Sequence, residues 1–183
     1  MESPRQVVMK ATKILIIALL SCLFFTYSAA ANTIGQYEIP FSQATTPESA
    51  INACLAGMYM NQTVVYPGET FSFNRAVGER LPERYFIPAP IASRSKTTVY
   101  DYGGGICMTA SILHQAVKNA GLKVVERHNH VTKVNYLPPG EDAAITWGVQ
   151  DFRFKNTLKN PVRINVMFIN DSLRIEIKED QYY

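Results

Sequence analysis

The chain is poor in the residues that most often announce a function. Of its 183 residues, three are histidine, three are cysteine and one is tryptophan. No Cys-x-x-Cys pair occurs, which removes the usual thiol-rich zinc site and leaves one plausible sulfur ligand. Repeats and low-complexity tracts are missing too, so a solenoid or a biased linker is not the architecture. An excess of one charge is also lacking. Setting aside Arg5, Lys10, Lys13 and Glu2 at the N-terminus, the 18 basic and 15 acidic residues fall to 15 and 14. That balance points away from a nucleic-acid partner.

Long hydrophobic runs are scarce. The prominent one, Ile14 to Phe25, is twelve residues with only Ser21 polar, too short to span a bilayer comfortably. It follows a basic start and precedes Ser28-Ala29-Ala30-Ala31, the layout of an export signal cleaved after Ala31. Residues 32–183 are then expected outside the cytoplasm as one domain with a real core. Membrane attachment arises only through an uncleaved signal. Cys22 suggests a lipid-anchor box, but the apolar run continues past it. Cys54 and Cys107 remain in the mature chain, and in an exported protein such a pair has a simple alternative as one disulfide.

What is present is strongly patterned. Ile39 to Thr46 reads as a short extended lead-in. Thr46-Pro47-Glu48 is an N-cap with proline at the first helical position, opening a helix to about Met60. Ile51, Cys54, Leu55 and Met58 repeat at helical spacing, which places Cys54 on the apolar stripe as a small core residue. Short strands are predicted at Val64–Tyr66 and Phe71–Phe73, around a Pro67-Gly68 turn. Arg80 to Tyr102 contains Pro82, Pro88 and Pro90 and reads as a long loop with at most short strands. Ile106, Ala110, Leu113 and Val117 mark a helix from Ile106 to Ala120, with Gly121 as its cap. A long strand is predicted over 122–136, a turn at Pro138-Pro139-Gly140, and a returning strand over 143–149. Residues 162–169 and 173–178 make a closing hairpin. The class is α+β: an antiparallel sheet with about two packed helices, and Cys107 at the N-terminus of the central one.

Cys107 follows Gly103-Gly104-Gly105-Ile106. Glycines let a backbone take positive φ and approach another chain closely. A helix N-terminus favours a thiolate, and its amides also suit an oxyanion. This is where a cysteine nucleophile belongs, and it needs a base and a group to orient that base. His114 lies two helical turns beyond Cys107, about 10 Å away and out of reach. His128 and His130 share one face of the strand predicted after the helix, an order found in papain-like hydrolases by fold-level analogy. If strands 122–136 and 143–149 pair symmetrically about Gly140, residue 130 faces about residue 150. Asp151 is then the expected orienting acid, and Asp142 enters only if the Pro-Pro-Gly loop folds back. Three readings compete: a Cys54–Cys107 disulfide, a metal site built on His128 and His130 with a cysteine, and an envelope protein whose glycine turn serves packing alone. No cofactor and no bound metal are expected.

Several motifs, in order, resemble the VanW family over roughly Phe41 to Ile169. They are Tyr66-Pro-Gly-Glu-Thr-Phe-Ser-Phe-Asn74 with Gly78, Gly103-Gly-Gly-Ile-Cys107, and Glu126-Arg-His-Asn-His130. Tyr136-Leu-Pro-Pro-Gly140, Asp142-Ala143 and Asp151-Phe-Arg-Phe-Lys-Asn156 continue the match. The family is known from glycopeptide-resistance gene clusters and from many exported bacterial proteins, and some members are held to be cysteine-dependent L,D-transpeptidases. The resemblance implies that Cys107 attacks a stem-peptide carbonyl of peptidoglycan, with His130 moving the proton and Asp151 orienting the imidazole. With water as acceptor the same site is an L,D-carboxypeptidase. Gly104, Gly105, Met108, His128 and Asp142 are then implied on the substrate side, and stem peptides are the implied partner. The alternative is a non-catalytic accessory protein that binds peptidoglycan or partners. The chain departs from the family pattern at Met108, where a polar glutamine is usual, at Glu141, where a basic residue is usual, and at Val131. Methionine cannot donate beside the nucleophile as glutamine would.

Overall fold

The computed structural model describes residues 31–92 and 97–181, so the expected export signal lies outside the described residues. Its largest sheet is antiparallel and four-stranded. β1 (Ala31–Pro40) pairs with β9 (Ser172–Asp180), β9 with β8 (Val162–Ile169), and β8 with the two-residue β2 (Val64–Val65). The closing hairpin forms as expected. Asn170 and Asp171 turn it with φ of 48° and 57°, the left-handed pair that matches strand twist. Val162, Ile164 and Val166 alternate onto the core face, as period-two side chains must. The extended lead-in expected over 39–46 lies earlier in the chain: β9 offers an edge that β1 fills from Ala31 opposite Asp180 to Pro40 opposite Ser172, and Phe41–Gln43 then form a 3-10 turn.

Among the described residues there are three α-helices, of which the two longer ones pack on this sheet. α1 (Pro47–Met60) starts where the Thr46 hydroxyl accepts the Ser49 N–H at 3.2 Å. α2 (Phe73–Val77) takes over the end of an expected strand. Ser72 accepts the Arg75 N–H at 3.1 Å and caps it, so Phe73 begins a helix rather than extending a strand. α3 (Ile106–Asn119) is central: it lies across β1 and β9 and beside α1. Phe73, Phe86, Ile112, Leu113, Phe154 and Ile175 are among the side chains fully buried in the common core. The class is α+β with antiparallel sheets.

A second sheet orders β3 (Thr70–Ser72), β7 (Arg153–Lys155) and β6 (Lys123–Glu126). Here the expectation of a long strand over 122–136 is corrected. β6 ends at Glu126 after an irregular register between Val124 and Glu126, and residues 127–152 run as loops with one isolated bridge, Thr146 to Gln150. The proline-rich stretch before the glycines contains a ribbon, β4 (Pro88–Ile91) against β5 (Val99–Tyr102). This ribbon leads directly into the glycine turn.

Candidate active site

The turn between β5 and α3 is held by packing on both sides. The Gly104 carbonyl accepts from Asn52 of α1 at 2.9 Å, and the same amide group reaches the Ile87 carbonyl at 2.8 Å. A methyl group on Gly104 would sit 2.4 Å from the Ala89 carbonyl oxygen, and one on Gly105, where φ is 105°, would sit 2.2 Å from that of Ser49. These glycines were expected on the substrate side. Instead they let the turn nest against α1 and β4, which fixes the start of α3. Met108 is likewise corrected: it is 3% exposed and part of the core, so its departure from a polar residue is absorbed by packing.

Cys107, the second residue of α3, is half-buried. Ile145 brackets its sulfur, donating its N–H at 3.4 Å and offering its carbonyl at 3.8 Å. The Cys107 sulfur is close enough to His130 to act on its titration. His130 Nδ1 lies 2.6 Å from Asp142 Oδ2, and the same oxygen accepts the His130 backbone N–H at 2.8 Å. With Nδ1 taken by the carboxylate, Nε2 is the nitrogen left for the thiol. The imidazole is 8% exposed and the carboxylate 5%. Burial alone would discharge this histidine, but the hydrogen bonds and negative charge of Cys107 and then Asp142 outweigh it and push its pKa up to about 9. Burial works against the Asp142 carboxylate too, yet its bonds to His130 hold it below the usual range. A thiol, an imidazole and a carboxylate are thus aligned in that order.

Residues 48–178 match the family described as VanW like protein. The chain belongs to the VanW family. A protein of Bacillus subtilis (strain 168), named uncharacterized protein YoaR, is 38% identical over 144 residues, covering 79% of this chain and 47% of the relative. The vancomycin B-type resistance protein VanW of Enterococcus faecalis (strain ATCC 700802 / V583) is 28% identical over 121 residues, covering 63% of this chain and 44% of the relative. The chain spans about half the length of these curated relatives. No solved structure matches. The VanW match encloses Cys107, His130 and Asp142 together.

Asp151, expected to orient His130, is committed elsewhere on this VanW-family chain. Its carboxylate accepts from Ser72 Oγ at 2.6 Å, the Asn74 N–H at 2.8 Å and the Phe152 N–H at 2.9 Å, which anchors the start of α2. The reason is the fold-back of the Pro-Pro-Gly loop. The Ala144 N–H bonds the His128 carbonyl at 2.8 Å, so residue 130 comes level with residue 142 rather than 150. Asp142, expected on the substrate side, therefore sits behind the imidazole. His128 turns away to Glu126 at 3.0 Å. The two rings of the His-x-His pair thus serve different carboxylates, which removes the basis for a shared metal. His114 is buried in the core, its ring 5.5 Å from Phe152. Cys54 and Cys107 are both free thiols. Cys54 is half-buried on α1, lining an apolar groove of about 730 Å³ with Phe41, Leu55, Met58 and Tyr85.

Two further residues were not singled out by sequence as site residues. Tyr136, inside a family motif, is kept protonated by burial first and by the Cys107 and Asp142 charges second. Arg80 sits beneath Trp147 with its guanidinium carbon 5.6 Å from the indole. Trp147 in turn borders a polar cleft of about 580 Å³ that Asn74, Glu126, Gln150 and Asp151 also line.

Proposed function

We propose that this VanW-family chain is a cysteine acyltransferase of the cell envelope that acts on peptidoglycan stem peptides, as an L,D-transpeptidase or, with water as acceptor, an L,D-carboxypeptidase. The observation that carries the reading is the alignment of Cys107, His130 and Asp142, with the last two almost wholly buried. A thiolate beside an imidazolium is a competent nucleophile at neutral pH. The choice of substrate rests on the family and on a relative named as a vancomycin resistance protein. Delivery outside the cytoplasm rests on the expected export signal.

In this reading the Cys107 thiolate attacks the carbonyl of the third residue of a donor stem. The Cys107 amide, at the positive end of α3, faces the developing oxyanion. As the tetrahedral intermediate collapses, the C–N bond to the terminal D-alanine breaks. His130 gives its proton to the departing amine, leaving a thioester. The amine of a second stem then attacks the thioester, returns a proton to His130 and expels the thiolate, which completes a 3–3 cross-link. Asp142 holds the imidazole in one tautomer throughout.

The test is incubation of the purified protein with tetrapeptide stems and analysis of products by mass spectrometry. Release of D-alanine and a cross-linked dimer are expected. Cys107→Ala abolishes both, and His130→Ala lowers turnover by about 10²–10⁴-fold. Identical product profiles from wild type and the two variants would sink the reading in favour of an accessory role.

A further inference from the structure

The polar cleft bordered by Trp147 is a concave surface close to the thiol. Ile145 donates its N–H to Cys107 Sγ at 3.4 Å, and Trp147 follows two residues later. Two residues of backbone span at most about 7 Å, which keeps the Trp147 backbone within about 12 Å of the sulfur. An extended tetrapeptide is about 13 Å long. One peptide is therefore long enough to occupy the cleft and present a carbonyl to Cys107. The volume of about 580 Å³ falls within the usual range for small-ligand sites.

The wall that carries Trp147 is braced from behind. Thr146 and Gln150 exchange backbone hydrogen bonds at 3.0 and 2.9 Å, around a turn in which Gly148 has a φ of 70°. Asn74 Nδ2 donates to both of their carbonyls, at 3.3 and 2.9 Å. Asn74 Oδ1 is held in turn by Arg80 at 2.8 Å, and the same guanidinium underlies the indole. Even so, Trp147 stays 45% exposed. An aromatic side chain already fixed in place loses little entropy on contact, which suits it to binding.

The charged lining of the cleft is Arg75, Arg153, Glu126 and Asp151. The two acids are engaged by the wall. Asp151 accepts from Ser72, Asn74 and Phe152, and Glu126 Oε1 lies 3.0 Å from His128 Nε2 and accepts the Asp151 N–H at 3.1 Å. The two arginines have capacity left. Arg75 reaches the Thr70 carbonyl with one nitrogen at 3.4 Å, and Arg153 approaches Glu126 Oε2 at 3.7 Å, beyond hydrogen-bond length. Both are exposed. Among the described residues, what remains unspent in this cleft is a pair of guanidinium forks, and such forks match a carboxylate two oxygens at a time.

We propose that this cleft is a peptide-carboxylate subsite, in which Arg75 and Arg153 hold a carboxylate of the substrate and Trp147 covers the apolar part beside it. The proposal rests on the stem-peptide reading for the identity of the peptide, whose carboxylate comes from the C-terminus or from a side chain. Trp147 is the single tryptophan of the chain, so its fluorescence reports occupancy without any turnover. The full chain carrying Cys107→Ala is titrated with a tetrapeptide stem, with the same peptide amidated at its C-terminus, and with the peptide amidated at its side-chain carboxylates. Calorimetry supplies Kd where the emission does not change. The free peptide is expected to bind, and one amidated form to bind about tenfold more weakly, which identifies the carboxylate. Arg75→Gln combined with Arg153→Gln should impose the same loss on the free peptide and none on that amidated form, and lysine at both positions should recover part of it. An unbound free peptide, equal Kd for all three peptides, or an arginine-variant loss common to all three would overturn the proposal. Carboxylate-dependent binding without release of D-alanine by wild type counts against the transferase reading and not against the cleft. Turnover whose KM ignores both arginines counts against the cleft and leaves that reading standing.

Discussion

At the residue scale, His130 carries its charge because of what sits at its two nitrogens. Asp142 takes Nδ1 at 2.6 Å, and the thiol is left with the other nitrogen. Replacing Asp142 with asparagine removes the anionic acceptor and lets the ring settle in the wrong tautomer. The transferase turnover proposed above should fall by about 10²–10⁴-fold. Asp151→Ala is expected to behave differently. It strips acceptors from Ser72, Asn74 and Phe152, so it should cost about 1–3 kcal/mol of stability while the folded protein keeps most of the proposed turnover. Thermal melts and steady-state kinetics on both variants separate the two roles. If Asp151→Ala proves the more damaging to turnover in folded protein, Asp142 is not the orienting acid.

At the element scale, the site depends on how α3 starts. Three glycines in a row would be an expensive sequence for a solvent-exposed turn, since each is costly to order. Their value lies in contact: Gly104 touches the Ala89 carbonyl and Gly105 that of Ser49, so α1 and β4 together aim Cys107. Gly105→Ala combines a left-handed φ with a clash against backbone and should cost at least about 2 kcal/mol, measurable as a lowered urea midpoint. A midpoint within experimental error of wild type would show that the turn can relax. Elements with local signals were legible in the sequence: Pro47 behind Thr46, the apolar spacing of α3, the Asn170-Asp171 hairpin. What was not legible arose from contacts between distant segments. Ala144 bonds His128 and Ile145 bonds the thiol, and those bonds fold the 127–145 segment back, shorten β6 and exchange Asp142 for Asp151. Spacing alone singled out Cys107 and the His128–His130 pair, because glycine turns and His-x-His pairs are local; it could not find the carboxylate behind His130, whose place is set by that fold-back.

At the scale of the whole molecule, two buried histidines pull stability in opposite directions with pH. His130 has a folded pKa of about 9, above its ordinary 6.5. Its contribution is therefore complete below pH 6.5 and is lost as pH rises through 9. His114 is the reverse. Burial, then the positive charge of Arg127, lowers it to about 4, and its Nδ1 has no partner in the core. Between pH 6.5 and 4 the unfolded chain binds a proton that the folded chain refuses, so stability falls as pH drops through that window. The carboxylates with lowered values, Glu48, Glu126, Glu141 and Asp142, start from 4.5 or 3.8, so their loss overlaps only the acid end of the His114 window and continues below it. Stability is thus expected to peak near pH 6.5 and to decline on each side by on the order of 1–2 kcal/mol. Urea midpoints at pH 4.5, 6.5 and 9 read this directly. His114→Leu should flatten the acid side and leave the alkaline side, and His130→Gln should do the opposite. An alkaline decline that survives His130→Gln undiminished would mean that the imidazolium beside Cys107 is not what binds the extra proton, and the charged resting state of the site would fail with it.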